Sequence, residues 1–349
     1  MIEDFKNKKI LVTGGTGSIG SAIVKKLLKF EPQQIRVLSR DESKQYNLKH
    51  ALDGDKKVRF LIGDIRNKDR LYKAMENVDI VFHAAAMKHV VACENDPFEA
   101  VQTNVIGMQN IIDCAMANNV SKVIGISTDK AADPVSVMGC TKLLAERMML
   151  AHYRGTRPTN FCFVRFCNVL GSRGSVIPLF FEQIKSGGPM TVTDENVCRF
   201  FMSINDAVDL VFKASNFMQG REIFVLKDIA TIKIIDLARA MRELYAPEFN
   251  LNPEDIEIKI IGLQKGERLH EKILTKVESI NALENDDMFI ITPVMDFGAP
   301  ESGSPEYLNT SKSEIGDHST ESRKTMAVEE IKKLLLKSIN PKKILNNFY

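Results

Sequence analysis

The sequence predicts an α/β protein, a doubly wound parallel sheet followed by a smaller C-terminal lobe. Three observations carry this expectation. Over the first 165 residues a short β-branched run is repeatedly followed by a stretch with apolar residues three and four apart. A glycine-rich turn stands between the first such run and the first helical stretch. The chain of 349 residues also has room for more than one folding unit, at roughly 150 residues per domain.

The β-branched runs are Lys9 to Thr13, Gln34 to Ser39, Val58 to Ile62, Ile80 to Ala84, Lys122 to Ser127 and Asn160 to Arg165. Between them, Ser21 to Phe30, Lys68 to Glu76, Ala100 to Asn118 and Met138 to His152 carry helical spacing. Strands that alternate with helices require right-handed crossovers, hence a parallel sheet covered on both faces. We therefore assign residues 1–170 to a nucleotide-binding domain and residues 171–295 to a substrate-binding lobe that partly returns to it. In that lobe Asp206 to Met218 and Ile234 to Tyr245 read as helices. Residues 296–325, poor in large apolar side chains, read as an extended linker, and residues 326–349 as a C-terminal helix and tail. The amphipathic stretch from Ala327 to Ser338 is expected to pack on the protein or on a partner subunit.

Composition narrows the functional class. With 44% hydrophobic and 26% charged residues the chain is neither disordered nor collagen-like. A net charge of +2 is too small for a nucleic-acid binder. Six cysteines without a CxxC pair, no leader-like apolar segment in MIEDFKNKK and no apolar run of membrane-spanning length point to the cytoplasm, with no membrane span.

The strongest local signal is LVTGGTGSIGSAIV. Gly14, Gly17 and Gly20, with Thr16, Ser18 and Ile19 between them, follow the first strand and open the first helix. A pyrophosphate needs backbone N–H groups at close range and a helix N-terminus aimed at it, so this turn predicts a dinucleotide (Rossmann) site. About 20 residues further on, where a carboxylate would grip the ribose of NAD, stand Ser39, Arg40, Asp41 and Lys44. Arg40 over the adenine, with Ser39 and Lys44 at a 2'-phosphate, favours NADP; Asp41 and Glu42 argue for NAD. Asp64 and Ile65 after the third strand are placed at the adenine, and Ala84 and Ala86 after the fourth allow close approach of the cofactor. His83 reads as a core histidine, and no His or Cys spacing suggests a metal.

The fifth strand leads into STDKAADPVSVMGCTKLLAE. This stretch resembles the short-chain dehydrogenases, in which a Ser or Thr after the strand and a Tyr-x-x-x-Lys on the next helix move protons beside the nicotinamide. Here Lys142 is present but Met138 holds the tyrosine position, and a thioether carries no catalytic proton. Thr128, Asp129 and Lys130 instead put a carboxyl and an amine side by side, the acid and base that an elimination requires. Cys140, with no paired base, reads as a small buried filler.

From about residue 9 to 294 the chain resembles the sugar-nucleotide 4,6-dehydratases of polysaccharide biosynthesis, specifically those with Met in place of Tyr. The matching stretches are TGGTGSIGS, SRDESK, HAAAMKHV, TNVIG, STDKAADPVSVMGCTK, VRFCNVLGSRGSVIPLF and GLQKGERL. The resemblance implies an NADP-dependent (or NAD-dependent) UDP-N-acetylglucosamine 4,6-dehydratase in a soluble, cytoplasmic form. It implies that Lys130 removes the C5 proton, that Asp129 protonates the departing C6 hydroxyl, and that Lys142 holds the nicotinamide ribose. Acceptance of the C4 hydroxyl proton stays open between Thr128, Asp129 and a water held by Lys142. For the UDP moiety it points to Asn168, Ser175 and Val176, with Arg199 and Arg268 as pyrophosphate forks; Lys88 and Thr103 would face sugar or nicotinamide. It also implies a homo-oligomer, a dimer or higher, built on the helices at 100–118 and after Met138. Retention at C5 is the first expectation. Inversion at C5, C4 epimerisation and a catalytically silent NADP-binding regulator are the alternatives.

Overall fold

The computed structural model describes residues 2–151, 159–292, 307, 309–313 and 316–341. Its main sheet has ten strands. The first six are β1 (Lys9–Thr13), β2 (Gln34–Ser39), β3 (Val58–Ile62), β4 (Ile80–His83), β5 (Lys122–Thr128) and β6 (Asn160–Phe166). They lie in the order β3-β2-β1-β4-β5-β6, all parallel, so the chain reverses its direction of travel between β1 and β4. Ligands of doubly wound sheets bind at such a switch point, outside the C-terminal strand ends.

Residues assigned from sequence to the lobe extend this sheet. Glu222–Leu226 adds a further parallel strand beside β6, Met288–Ile291 and Ala282–Glu284 follow antiparallel, and Ser311–Lys312, from the stretch read as a linker, pairs antiparallel at the edge. The helix Ile204–Phe217 returns to the same core; its start is fixed by a capping box, Ser203 Oγ accepting from the Asp206 N–H at 3.1 Å. Phe212 on this helix meets Phe5 with ring centroids 5.1 Å apart, in one core with Phe30 and Phe82.

A second core lies over the strand ends, around Leu170, Phe180, Phe181, Leu237, Met241 and Tyr245. The helix Val328–Ser338 completes it, burying Ile331 and Leu335 against the lobe of its own chain. The cleft runs between the two cores.

Three expectations change. Of the proposed linker, residues 296–306, 308 and 314–315 lie outside the described residues, and the rest is docked rather than free. His318–Ser319 pairs antiparallel with Lys272–Leu274, and the buried Tyr307 hydroxyl donates to Glu222 at 2.6 Å. Strand pairing and this polar anchor make up for the few large apolar residues that suggested a linker. The helix expected at 100–118 contains one wide π-turn at Gln102–Ile106, which carries Thr103 and Asn104 inward. Asn104 there accepts from the Met87 N–H at 2.9 Å and donates to the Met87 carbonyl and Thr141 Oγ1, both at 3.0 Å. Cys140 is exposed, because its side of the helix Val137–Ala151 faces away from the core that holds Met138 and Thr141.

Candidate active site

The glycine turn has the form a pyrophosphate cradle needs. Gly14 adopts φ +62°, and a Cβ there would stand 2.6 Å from the Ala85 nitrogen and 2.7 Å from the Ala84 carbonyl. Only glycine allows β1 and β4 to approach so closely, which explains the small residues at 84–86. At Gly20 a Cβ would strike the Gly14 carbonyl, so this glycine seats the helix Ser18–Leu27 on the turn. The helix N-terminus points into the turn with Gly17 as N-cap and no side-chain cap of its own. The residues present fit a dinucleotide.

Ser39 and Thr16 share a buried hydroxyl contact of 2.8 Å at the ends of β2 and the turn. Arg40 is exposed, 3.7 Å from Asp64. Asp64 does not present a free carboxylate to an adenine: it accepts from Arg66 N, Nε and Nη2 at 2.8 to 2.9 Å, and burial is outweighed so that its pKa stays below the ordinary range. Ile65 beside it is buried under Gly107. Lys44 does not offer a free charge either, since its ammonium lies 2.7 Å from Asp41. Asp41 caps the helix Glu42–Ala51 by accepting from Lys44 N at 2.9 Å, a role for an acid at this position that competes with ribose binding.

At the end of β5 the side chains converge. The Thr128 hydroxyl donates to Asp129 Oδ1 at 2.9 Å, and Lys130 Nζ reaches the same oxygen at 3.1 Å. Asp129 is 1% exposed. Lys130 also lies 3.2 Å from Glu271 Oε1. Burial pulls the Lys130 ammonium toward deprotonation, but Asp129 and Glu271 outweigh it and raise its pKa above that of an ordinary lysine. Lys142 is different: burial dominates, Glu146 compensates only in part, and its pKa falls to about 8. It donates to the Ile126 carbonyl at 2.5 Å, on the strand that carries Thr128. Met138, one helical turn before it, is packed with Cys93 and Ala100 and partly buried Met87, Val90 and Val137. His83 is buried and neutral, 2.7 Å from Thr13 Oγ1, its pKa lowered to about 3 by burial and by Lys142.

Of these groups Lys130 and Glu271 line a cleft of about 280 Å³, together with His89, Ser136, Arg199, Gly266 and Arg268. Arg199, expected as a pyrophosphate fork, is buried in the cleft wall with several donors engaged inside the protein. Its Nη1 donates to the Cys198 and Leu269 carbonyls at 2.9 and 3.1 Å and its Nη2 to Glu267 at 3.1 Å. Arg268 keeps more freedom, holding the Asp133 carbonyl at 2.9 Å from the cleft wall. Asn168 is committed to the Phe200 carbonyl at 3.0 Å. Ser175 is the N-cap of the helix Val176–Lys185, with no side-chain cap hydrogen bond, and Val176 opens that helix. The Ser175 and Thr103 hydroxyls are buried with no hydrogen-bond partner among the described residues. Lys88 donates to the Arg173 carbonyl at 2.7 Å.

Three residues at the site escape a reading of the sequence. Glu271 lies in a segment without periodicity. Asn104 is hidden in a helical stretch, although the TNVIG wording includes it. Arg173 reaches back to the glycine turn, where its N–H donates to Ser18 Oγ at 3.1 Å and its guanidinium bonds the Thr16 carbonyl. Only the crossing of the lobe over the sheet brings it there. Behind the site, Arg165 of β6 is wholly buried and bonds Glu146 and Glu278 with contacts of 2.8 to 3.3 Å.

A parallel sheet of this order, a glycine turn at its switch point, and a hydroxyl residue and a helical lysine beside it define an extended short-chain dehydrogenase/reductase. The chain belongs to the polysaccharide biosynthesis protein family, whose model matches residues 10–293. It is 55% identical over 291 residues to an uncharacterised membrane protein of Methanocaldococcus jannaschii, covering 83% of this chain and 87% of the relative. A UDP-glucose 4-epimerase of Rickettsia conorii is 39% identical over 95% of this chain and 96% of its own. An inverting UDP-N-acetylglucosamine 4,6-dehydratase of Campylobacter jejuni is 41% identical over 84% and 85%. Among solved structures, Pen from Bacillus thuringiensis superposes with a TM-score of 0.88 at 42% identity, covering 97% of this chain and 99% of Pen. No helix among the described residues is long and apolar enough to cross a membrane.

Proposed function

We propose that this protein is an NADP-dependent UDP-N-acetylglucosamine 4,6-dehydratase, a lyase forming UDP-2-acetamido-2,6-dideoxy-4-keto-hexose with retention at C5. The observation that carries this reading is the pair of buried Asp129 and partly buried Lys130 at the end of β5, on a site whose tyrosine position is held by Met138. Bound at the glycine turn, the dinucleotide supplies acceptance of hydride from C4 and its return to C6. Gly14, Thr16, Gly17, Ser18, Ile19 and Gly20 would hold its pyrophosphate, Lys142 its nicotinamide ribose, and Ser39 and Arg40 its adenosine end.

The chain's own residues account for the protons. Asp129, paired with Lys130, takes the C4 hydroxyl proton, with Thr128 as a bridge, and passes it to the C6 hydroxyl, which leaves as water. Lys130 removes the C5 proton, made acidic by the neighbouring ketone, and returns a proton to the same face. One proton thus travels from O4 to the departing water, and C5 loses one proton to Lys130 and receives one from its exchangeable ammonium.

Incubation with UDP-N-acetylglucosamine, read by product mass, tests the assignment. Loss of one water supports it; an isomer of unchanged mass would establish an epimerase, as the Rickettsia likeness suggests, and no reaction would leave a silent regulator. A second reading, inversion at C5, is favoured by the name of the Campylobacter relative. Proton coupling constants at C5 of the product decide between the two.

A further inference from the structure

We propose that Glu271 is the acceptor that frees Lys130 for its work: a positioning residue that takes the ammonium proton of Lys130 before C5 is deprotonated. This rests on the dehydratase reading and deepens it.

The difficulty it resolves is on the page. Lys130 stands between Asp129 at 3.1 Å and Glu271 at 3.2 Å, so at rest it is a cation, and a cationic amine removes no proton. Its proton needs a destination. In the cycle above Asp129 already holds the C4 hydroxyl proton when C5 must be attacked, so it cannot receive a second one. Glu271 can. Its side chain is 3% exposed, it lines the cleft, and its Oε2 has no hydrogen-bond partner among the described residues. A buried carboxylate oxygen left unpaired is costly unless it has a task.

The surroundings hold this carboxylate in place, and apart from Asp129 no other carboxylate among the described residues forms an ion pair with Lys130. The Glu271 N–H donates to Thr320 Oγ1 at 3.1 Å, and its carbonyl accepts from Thr320 N at 3.0 Å. Arg199 Nε faces the same oxygen as Lys130, at 3.6 Å from Oε1. Beyond Arg199, Glu267 is committed to that guanidinium, to Thr193 Oγ1 at 3.0 Å and to Gln264 N at 3.1 Å. The flanking groups turn elsewhere, His270 toward Thr320 at 3.3 Å and Lys272 toward Asp317 at 2.8 Å. Loss of one proton from Lys130 to Glu271 leaves a neutral amine and a neutral acid. The amine takes the C5 proton as the electron pair moves into the C4 ketone, delivers one of the three equivalent, solvent-exchangeable protons of the resulting ammonium back to C5, and recovers its own proton from Glu271. Each group ends as it began.

The test uses the holoenzyme, UDP-N-acetylglucosamine and D2O. Glu271→Gln keeps the size of the side chain and removes the basic oxygen. It is expected to lower both turnover and solvent deuterium uptake at C5 by about 100-fold or more, while nucleotide-sugar affinity and the single-turnover rise of reduced-cofactor absorbance stay within about threefold. Glu271→Asp, which withdraws the carboxylate by one methylene, should lie between the two, slower than wild type and at least about tenfold faster than Glu271→Gln in C5 exchange. If Glu271→Gln does not fold, Glu271→Asp decides alone by slowing C5 exchange with C4 oxidation unchanged. Wild-type C5 exchange in either variant, or loss of affinity and C4 oxidation together with exchange, overturns the proposal. Wild-type enzyme that forms no dehydrated product would sink the dehydratase reading itself, a result distinct from these.

Discussion

Replacing Lys130 separates chemistry from architecture, because the two effects have different sizes. Lys130→Met removes the cation between two carboxylates that are 1% and 3% exposed. Breaking a buried pair by deleting one partner costs about 3 to 5 kcal/mol. Here the cost should lie near the lower end, roughly 3 kcal/mol, because Thr128 still donates to Asp129 and Arg199 still faces Glu271. Domains are stable by about 5 to 15 kcal/mol, so the variant stays folded. Turnover should fall by about 10² to 10⁴-fold, far more than any unfolded fraction explains. Lys130→Arg sharpens the contrast: the guanidinium restores the charge and most of the stability, yet it does not give up a proton at neutral pH, so turnover stays low. The assays are urea unfolding by circular dichroism and a single-turnover mixture followed by absorbance and product mass. Both variants should show reduced cofactor that persists, with the sugar held as the 4-ketone and no water lost. Near-normal turnover in Lys130→Arg would refute the argument and make the pair purely structural.

Arg40→Ala should weaken NADP by about tenfold or more and NAD much less, since a lost charge-assisted contact costs about 1.5 to 3 kcal/mol; Lys44→Ala should matter less, because Asp41 already holds that charge. Equal loss for both cofactors in a fluorescence titration would count against NADP. His83, neutral in the fold with a pKa of about 3, takes a proton more readily when unfolded, so its contribution is complete above pH 6.5 and is lost as pH falls toward 3. Between pH 6.5 and 4.5 this amounts to roughly 2 to 3 kcal/mol, and urea midpoints of His83→Gln should decline correspondingly less over that range; parallel decline would contradict it. Arg165→Met should cost about 3 to 5 kcal/mol by leaving Glu146 and Glu278 unpaired, and a loss under about 1 kcal/mol in urea unfolding would show that the carboxylates simply take up protons.

The sheet was legible because its signals are local. β1, β2 and β3 begin and end where their β-branched runs do, and β4, β5 and β6 differ by one residue at their C-terminal ends. The glycine turn was legible for the same reason, since Gly14 and Gly20 answer to steric demands within a few residues. The neighbourhood of Thr128, Asp129 and Lys130 could be read because all three sit on one strand end. Glu271 could not, since 141 residues separate it from the lysine it touches and no spacing links them. Arg199 shows another limit: arginine suggests a phosphate, but only the fold reveals that two carbonyls and Glu267 already engage its Nη1 and Nη2. The charges near Arg40 were visible in the sequence, but their pairing into Asp41–Lys44 and Asp64–Arg66 was not.

The Arg165 cluster has a mechanical consequence. From β6 the guanidinium grips Glu146, one turn beyond Lys142 on the active-site helix, and on its other side the Ile273 carbonyl and Glu278, just past Glu271. Spreading the cleft like a pair of jaws would have to pull one of these anchors off a charge that no water can reach. The back of the site is therefore a weld rather than a hinge, and the distance between Lys130 and Glu271 is fixed from behind. Just ahead of Gln264 in the cleft wall, by contrast, Ile260, Ile261 and Leu263 are between 42% and 47% exposed. The rigid side of the cleft is thus the one that carries Lys130 and Glu271, and the exposed side is the one that carries no such buried charge.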